Sequence, residues 1–247
     1  MNFKGANFNV AQPHLFDHSM EGIRKSLTTP DHFFCSDNVI TWNRNLSFLQ
    51  NNSFMECVRR NSNSVAERAI VWRTYILCYF AKFAARLGGD FVEVGAYKGN
   101  TANIILEQAG LIGSGNSYYL YDAFEHTGTE LNPAMPEHGA ELYGKVRDRF
   151  AQYDFVKVIK GYVPESFQHG FPERIAFAHV DLNQAPAEVG ALKRIIPALL
   201  PGGVIVLDDY GWWGYREQKE AEDPLFAEHG LEVLELPTGQ GVVLNNL

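Results

Sequence analysis

From Asp90 onward, short apolar runs alternate with segments of helical period, and no other feature narrows the possible folds as much. The runs are Phe91–Val94, Ser117–Tyr121, Phe155–Ile159, Arg174–Val180, Val204–Leu207, Leu231–Leu236 and Gly241–Leu244. Thr101–Gln108, Glu137–Ala151, Pro186–Leu200 and Arg216–His229 read as the intervening helices. Strand and helix in repeated alternation call for a parallel sheet with helices on both faces. Only Pro237-Thr238-Gly239-Gln240 joins the last two runs, so they form an antiparallel hairpin. The expected fold is α/β: a doubly wound, mostly parallel seven-stranded sheet over residues 89–247, closed by that hairpin.

Residues 1–88 read differently. The first 36 are an irregular arm with a short helix from Met20 to Ser26; His14, His18 and His32 supply surface or turn polarity. Asp37-Asn38 is expected to cap a helical segment carrying Val39, Ile40 and Trp42. A second helix is expected over Ser47–Arg60, and Asn61-Ser62-Asn63-Ser64 is a break. A third, Ser64–Leu87, opens on the capping-box pattern Ser64-x-x-Glu67 and stops at Gly88-Gly89. Its aromatic residues are expected to pack against the sheet. The domain division is therefore a helical extension, 1–88, followed by the sheet domain, 89–247. Gly128–Met135 reads as loop.

The chain of 247 residues is 46% hydrophobic, enough for one sizeable core. Its net charge of -8 leaves no basic face for a nucleic acid. No apolar run reaches the roughly 18 residues of a membrane span, and the first residues lack a signal peptide's apolar stretch. Cys35, Cys57 and Cys78 are odd in number and widely spaced, as expected of reduced thiols in a cytoplasmic protein.

The first strand runs into Glu93-Val94-Gly95-Ala96-Tyr97-Lys98-Gly99-Asn100-Thr101. A strand, a turn through two glycines and a helix N-terminus is where a nucleotide-like ligand sits in an open α/β sheet. The spacing is not Gly-x-Gly-x-x-Gly, and a P-loop's Gly-Lys-Ser/Thr is absent. Glycine at 95 and 99 is expected to let the ligand approach the backbone. The loop resembles that of class I S-adenosylmethionine-dependent methyltransferases, and Gly-Ala-Tyr-x-Gly is similar to the loop of catechol O-methyltransferases. The ligand then carries an ammonium, for which Glu93 is useful, and no pyrophosphate. Asp122, ending the second strand, suits a ribose diol. In the methyltransferase layout the turn Lys160-Gly161-Tyr162-Val163-Pro164 lies beside the adenine.

Asp181, Asp208 and Asp209 each follow an apolar strand and should emerge on the edge that carries Gly95 and Asp122. Converging carboxylates repel unless a cation or proton holds them, and hard oxygens suit Mg²⁺. Such an ion could bind a substrate hydroxyl as a Lewis acid. The bland reading makes Asp208 and Asp209 turn and cap residues. His179, on the same strand face as Asp181, either orients it or is a core histidine. His126 is a further candidate base. Trp212, Trp213 and Tyr215 form an acceptor wall or pack inward.

From about Trp72 onward the chain resembles the macrocin/mycinamicin O-methyltransferase family. The matching residues are Trp72-Arg73, Gly89 to Gly95, Lys98-Gly99, Asp122-Ala123-Phe124-Glu125, Asp181, Pro201-Gly202-Gly203, Asp208-Asp209-Tyr210-Gly211 and Pro237 to Gly241. The resemblance implies a Rossmann-like fold, S-adenosylmethionine and Mg²⁺ as cofactors, and a hydroxylated small molecule, such as a natural-product sugar, as acceptor. It implies a cofactor site of Glu93, Gly95, Ala96, Tyr97, Gly99, Asn100, Thr101, Asp122, Phe124, Gly161, Val163 and Asp181. Asp181, Asp208 and Asp209 match the metal ligands, with Asp181 and His179 in catalytic roles. A homo-oligomer is compatible with the family. Two departures stand out: Asp181 is not followed by the family's Asp-x-Asp-x-Tyr run, and Gln184 occupies the position of the catechol enzymes' lysine base. Two rival readings follow, a metal-independent N- or C-methyltransferase and a non-catalytic S-adenosylmethionine-binding module.

Overall fold

The computed structural model describes residues 2–128 and 134–246, so most of the loop read over Gly128–Met135 lies outside the described residues. The chain divides into two compact units, one ending at Tyr75 and one starting at Ile76. The division falls within a helix, whereas the sequence reading set the domain boundary at 88/89.

The first unit contains β1 (Phe3–Lys4), α1 (Pro13–Ser26), β2 (Phe33–Ser36), β3 (Val39–Trp42), α2 (Asn52–Arg60), α3 (Val65–Ala69) and the start of α4 (Val71–Ala84). It corrects the sequence reading in several places. The arm holds a helix of 14 residues, begun by a proline at its first turn, where the missing N–H costs nothing. Val39–Trp42 is a strand, not a helix. Ser36 pairs with Val39, so Asp37-Asn38 is a two-residue hairpin loop, with φ of 52° and 58°. Two successive left-handed residues make the turn whose twist suits a hairpin, and Asp and Asn tolerate that region. The Asp37 carboxylate then accepts two hydrogen bonds from the buried Arg73 guanidinium, at 2.7 and 2.9 Å. The third helix is also broken, at Ile70. Its capping box forms: Ser64 accepts from Glu67 N–H at 3.1 Å, while the Glu67 carboxylate reaches back to Asn63 N–H. Trp72 belongs to an aromatic cluster with Phe34 and Phe48.

The second unit runs from the rest of α4 through β4 (Asp90–Val94), α5 (Asn100–Ala109), β5 (Tyr118–Asp122), α6 (Leu142–Phe150) and β6 (Val156–Lys160). It continues with β7 (Ile175–Val180), α7 (Ala185–Ala198), β8 (Leu199–Leu207), α8 (Arg216–Glu228), β9 (Val233–Glu235) and β10 (Gly241–Leu244). The seven strands are ordered β6-β5-β4-β7-β8-β10-β9, with β10 antiparallel to both of its neighbours. The expected sheet is therefore the observed one.

Alternate residues of each strand feed opposite cores. Phe91, Leu120, Phe177 and Val206 meet Leu77, Ala81 and Ala84 of α4 and Ile105 of α5 on one side. Val92, Tyr121, Ala178 and Ile205 meet Leu192 and Ile195 of α7 and Phe226 of α8 on the other. A wholly buried side chain such as Phe177 contributes roughly 1.5–3 kcal/mol. Not every aromatic of α4 joins this core, as had been expected: Phe80 packs against it, but Phe83 is half exposed.

Candidate active site

Backbone register aligns Val94, Tyr121, Val180 and Leu207 in one row across β5, β4, β7 and β8. The residues that follow them, Gly95, Asp122, Asp181 and Asp208, leave the sheet side by side. Strands after β4 are added first on one side (β5, β6) and then on the other (β7, β8), so the order reverses between β4 and β7. A crevice opens outside the strand ends at such a reversal, and Gly95 and Asp181 flank it. They are so close that a Cβ on Gly95 would lie 1.7 Å from the Asp181 carbonyl oxygen. A Cβ on Gly99 would lie 2.5 Å from the Phe150 ring. Both glycines are left-handed, at φ 92° and 68°. Each glycine thus makes room for a neighbouring segment of the protein itself.

Asp122 organises the loop. Its two carboxylate oxygens accept from Tyr97 N–H at 2.8 Å and Phe124 N–H at 2.6 Å. Both donors belong to residues with positive φ, 44° and 59°, so the carboxylate offsets backbone strain on both. Each oxygen keeps a lone pair for a ligand hydroxyl. The Ala96 N–H is bound to Tyr121 O, and Asn100 and Thr101 open α5, where N–H groups point at the crevice edge. The Tyr97 hydroxyl donates to Glu137; burial and that contact push its pKa up to about 12.

Behind the row lies a buried charge relay. Glu93 and His179 are cross-strand neighbours, and His179 is 1% exposed. The imidazole sits 3.7 Å from the Glu93 carboxylate and 3.6 Å from that of Asp208, with neither nitrogen within hydrogen-bond distance of a partner among the described residues. Burial disfavours its charged form, but the two carboxylates outweigh burial and hold its pKa well above the usual range. The two flanking carboxylates thus favour the protonated imidazole. Glu93 is equally buried and accepts from the Tyr118 hydroxyl at 2.5 Å.

One ligand atom each from His179, Asp181 and Asp208 lie within 4.8 Å of one another. This group omits Asp209, which had been expected in it, and includes a histidine that had been assigned to the base role. Gln240, fully buried in the Pro237–Gly241 turn, donates to Asp208 Oδ1 at 3.1 Å and fixes that carboxylate from below. On the adenine side, Gly161 N–H binds Asp122 O at 2.9 Å, and Val163 is buried in the α7 core.

A family model described as a methyltransferase domain matches residues 92–210. The row of Gly95, Asp122, Asp181 and Asp208 falls inside that match. Over that stretch the chain is similar to a methyltransferase domain. A Streptomyces olivaceus protein described as an 8-demethyl-8-(2,3-dimethoxy-alpha-L-rhamnosyl)-tetracenomycin-C 4'-O-methyltransferase is 25% identical over 159 residues. The match covers 54% of this chain and 57% of that protein. Among solved structures, the O-methyltransferase NovP superposes with a TM-score of 0.60 at 16% identity, over 78% of this chain and 88% of NovP. The calicheamicin methyltransferase CalS11 gives 0.60 at 13% identity, over 96% and 95%. The Podospora anserina methyltransferase PaMTH1, solved with S-adenosylhomocysteine, gives 0.54 at 14%, over 97% and 98%.

Some residues of the site escaped the sequence reading. Gln240 was read only as part of a turn, although a buried amide between two strands needs a polar partner. His138 was not singled out; it packs edge-on against Tyr97 and His126, with Nε2 4.0 Å from Asp122. Nothing in its sequence surroundings marks it. Trp213 is 81% exposed and stacks under the Arg216 guanidinium, so it does not pack inward.

Proposed function

We propose that this methyltransferase moves a methyl group from S-adenosylmethionine to a hydroxyl of a small molecule, a sugar or polyol of a natural product, with Mg²⁺ at the Asp181–Asp208 end of the crevice. The observation that carries the proposal is the row itself: two carboxylates for a cation, next to the loop for the methyl donor. The rhamnose named in the Streptomyces olivaceus relative and in CalS11, a TDP-rhamnose 3'-O-methyltransferase, supports a sugar acceptor.

The donor set fits the ion. Mg²⁺ takes one or two carboxylates and completes its shell with water and substrate oxygens, and Asp181 and Asp208 provide two hard ligands with Asp209 adjacent. Bound there, the ion would supply Lewis acidity to the acceptor oxygen. S-adenosylmethionine supplies a methyl group on a sulfonium, which leaves as a neutral thioether. The chain does the rest. Asp122 keeps the 95–99 loop in shape and offers a lone pair to the ribose. His179, held toward its protonated form between Glu93 and Asp208, offsets the repulsion between those two carboxylates. Asp181, less buried than Asp208, is the carboxylate placed to receive the hydroxyl proton as the oxygen attacks the methyl carbon.

The test is methyl transfer to rhamnosides and TDP-rhamnose, read as S-adenosylhomocysteine release, with and without EDTA. Chelation should stop turnover and Mg²⁺ should restore it. Asp208→Ala should cut turnover by about 100-fold or more, the scale of losing one electrostatic contact to the transition state. Its affinity for S-adenosylmethionine by calorimetry should stay within about threefold. Unchanged turnover in EDTA would favour a metal-independent enzyme, and failure to bind the donor would leave neither.

A further inference from the structure

Away from the row, the interface between α7 and α8 buries two glutamates that methyl transfer does not use. Glu188 is 4% exposed and Glu222 is not exposed at all. Three N–H donors fill one Glu188 oxygen, Oε1: Leu182 N at 3.0 Å, Asn183 N at 3.2 Å and Gln218 Nε2 at 2.8 Å. Glu222 faces the same carboxyl, yet among the described residues neither of its oxygens meets a donor. Two ionised carboxylates cannot be buried against each other without a cation or a proton. With Glu188 Oε1 filled, the proton belongs between its other oxygen and Glu222.

The two backbone donors give this pair a place in the site. Leu182 and Asn183 directly follow Asp181, Asn183 is left-handed at φ 56°, and its amide lies 3.4 Å from Asp181 Oδ1. The turn thus leaves the sheet in a strained conformation that local hydrogen bonding must maintain. Glu188, in the first turns of α7, reaches back to hold it. Gln218 and Glu222 brace Glu188 from α8, the helix that follows the Asp208–Tyr215 segment.

We propose that Glu188 and Glu222 are a proton-sharing pair of positioning residues that fixes the turn carrying Asp181. The proposal rests on Asp181 being the cation-binding carboxylate of the site. Glu188→Gln keeps an acceptor for the three donors and an N–H to give Glu222, so it should behave as wild type. Glu188→Ala removes the acceptor. Burial raises both carboxyls above their ordinary range, and the Lys219 and Asp223 charges also act on Glu222.

Two readouts on the full chain decide the matter. One is hydrogen–deuterium exchange of the peptide containing Leu182 and Asn183. The other is Mn²⁺ affinity by electron paramagnetic resonance. Glu188→Ala should speed exchange at those amides by tenfold or more and weaken Mn²⁺ by a similar factor, and Glu188→Gln should bring both within about threefold of wild type. S-adenosylmethionine affinity by calorimetry should stay within about threefold in each variant. If Glu188→Ala does not fold, Glu188→Met with Glu222→Leu removes both carboxyls without stranding a charge, and should show the same changes. Native exchange rates in either folded variant would overturn the pair's role. Altered exchange in the variants, together with a wild-type protein that binds no Mn²⁺, would keep the clamp but remove the cation reading of Asp181. Altered exchange with native Mn²⁺ affinity would overturn the claim that the clamp positions Asp181.

Discussion

Gly95 shows how much one residue can fix. A methyl group there would collide with the Asp181 carbonyl at 1.7 Å, and the backbone is left-handed at φ 92°. Both penalties fall on Gly95→Ala, and only the second could be relieved by local rearrangement. Strain and overpacking each cost about 1–3 kcal/mol, so the variant should melt several degrees lower and lose donor affinity together. Differential scanning calorimetry and a donor titration check this; native stability would mean that β4 and β7 can separate there. The glycine was legible in sequence but its reason was not, because the colliding atom belongs to a strand eighty-odd positions away. His179 teaches the opposite lesson. A histidine two residues before an aspartate invites a catalytic reading, and only the second carboxylate, Glu93 on the neighbouring strand, shows that its surroundings favour the charged form.

At the level of elements, the sheet was readable because most parallel strands are apolar runs that an acid or glycine follows. Asp122, Asp181 and Asp208 serve as end-markers in the sequence and as site residues in the fold. The hairpin Phe33–Trp42 was not readable in the same way. Val-Ile-Thr-Trp carries no period that separates strand from helix, and Asp-Asn is as good a helix cap as a turn. The decision came from Asp37, whose carboxylate must face Arg73 within the first unit. Asp37→Ala would take a buried carboxylate away from that guanidinium. A loss of roughly 3–5 kcal/mol is expected in urea unfolding, whereas Asn38→Gly relieves the positive φ of 58° but removes two side-chain hydrogen bonds to the Phe8 backbone, and should cost less, about 1–2 kcal/mol. Equal stability of Asp37→Ala and wild type would mean the ion pair contributes nothing net. The α7–α8 glutamates escaped the sequence for another reason: carboxylates on a helix of mixed polarity read as a solvent face.

For the whole molecule, the buried glutamates shape stability against pH. Burial raises both pKa values above the ordinary 4.5, so the folded protein keeps a proton that the unfolded chain releases. With more protons bound in the folded state, unfolding free energy falls as pH rises. The pair's contribution is full below about pH 4.5 and is lost as pH climbs through the pair's raised range. Glu222→Gln supplies a permanent N–H in place of the proton and should flatten this slope: its melting temperature should gain on wild type steadily from pH 5 to pH 8. Parallel curves would mean that no proton is held there. Among the described residues, no helix is long and apolar enough to cross a membrane.

The central claim is that one crevice takes a methyl donor at Gly95 and a divalent cation at Asp181 and Asp208. Anomalous diffraction from crystals grown with S-adenosylhomocysteine and Mn²⁺ tests it in a single map. The expected result is a manganese peak within bonding distance of the Asp181 and Asp208 carboxylates, with the nucleoside lying along the 95–101 loop and its ribose at Asp122. A nucleoside bound there with no peak at those acids, or a peak elsewhere on the protein, would contradict it.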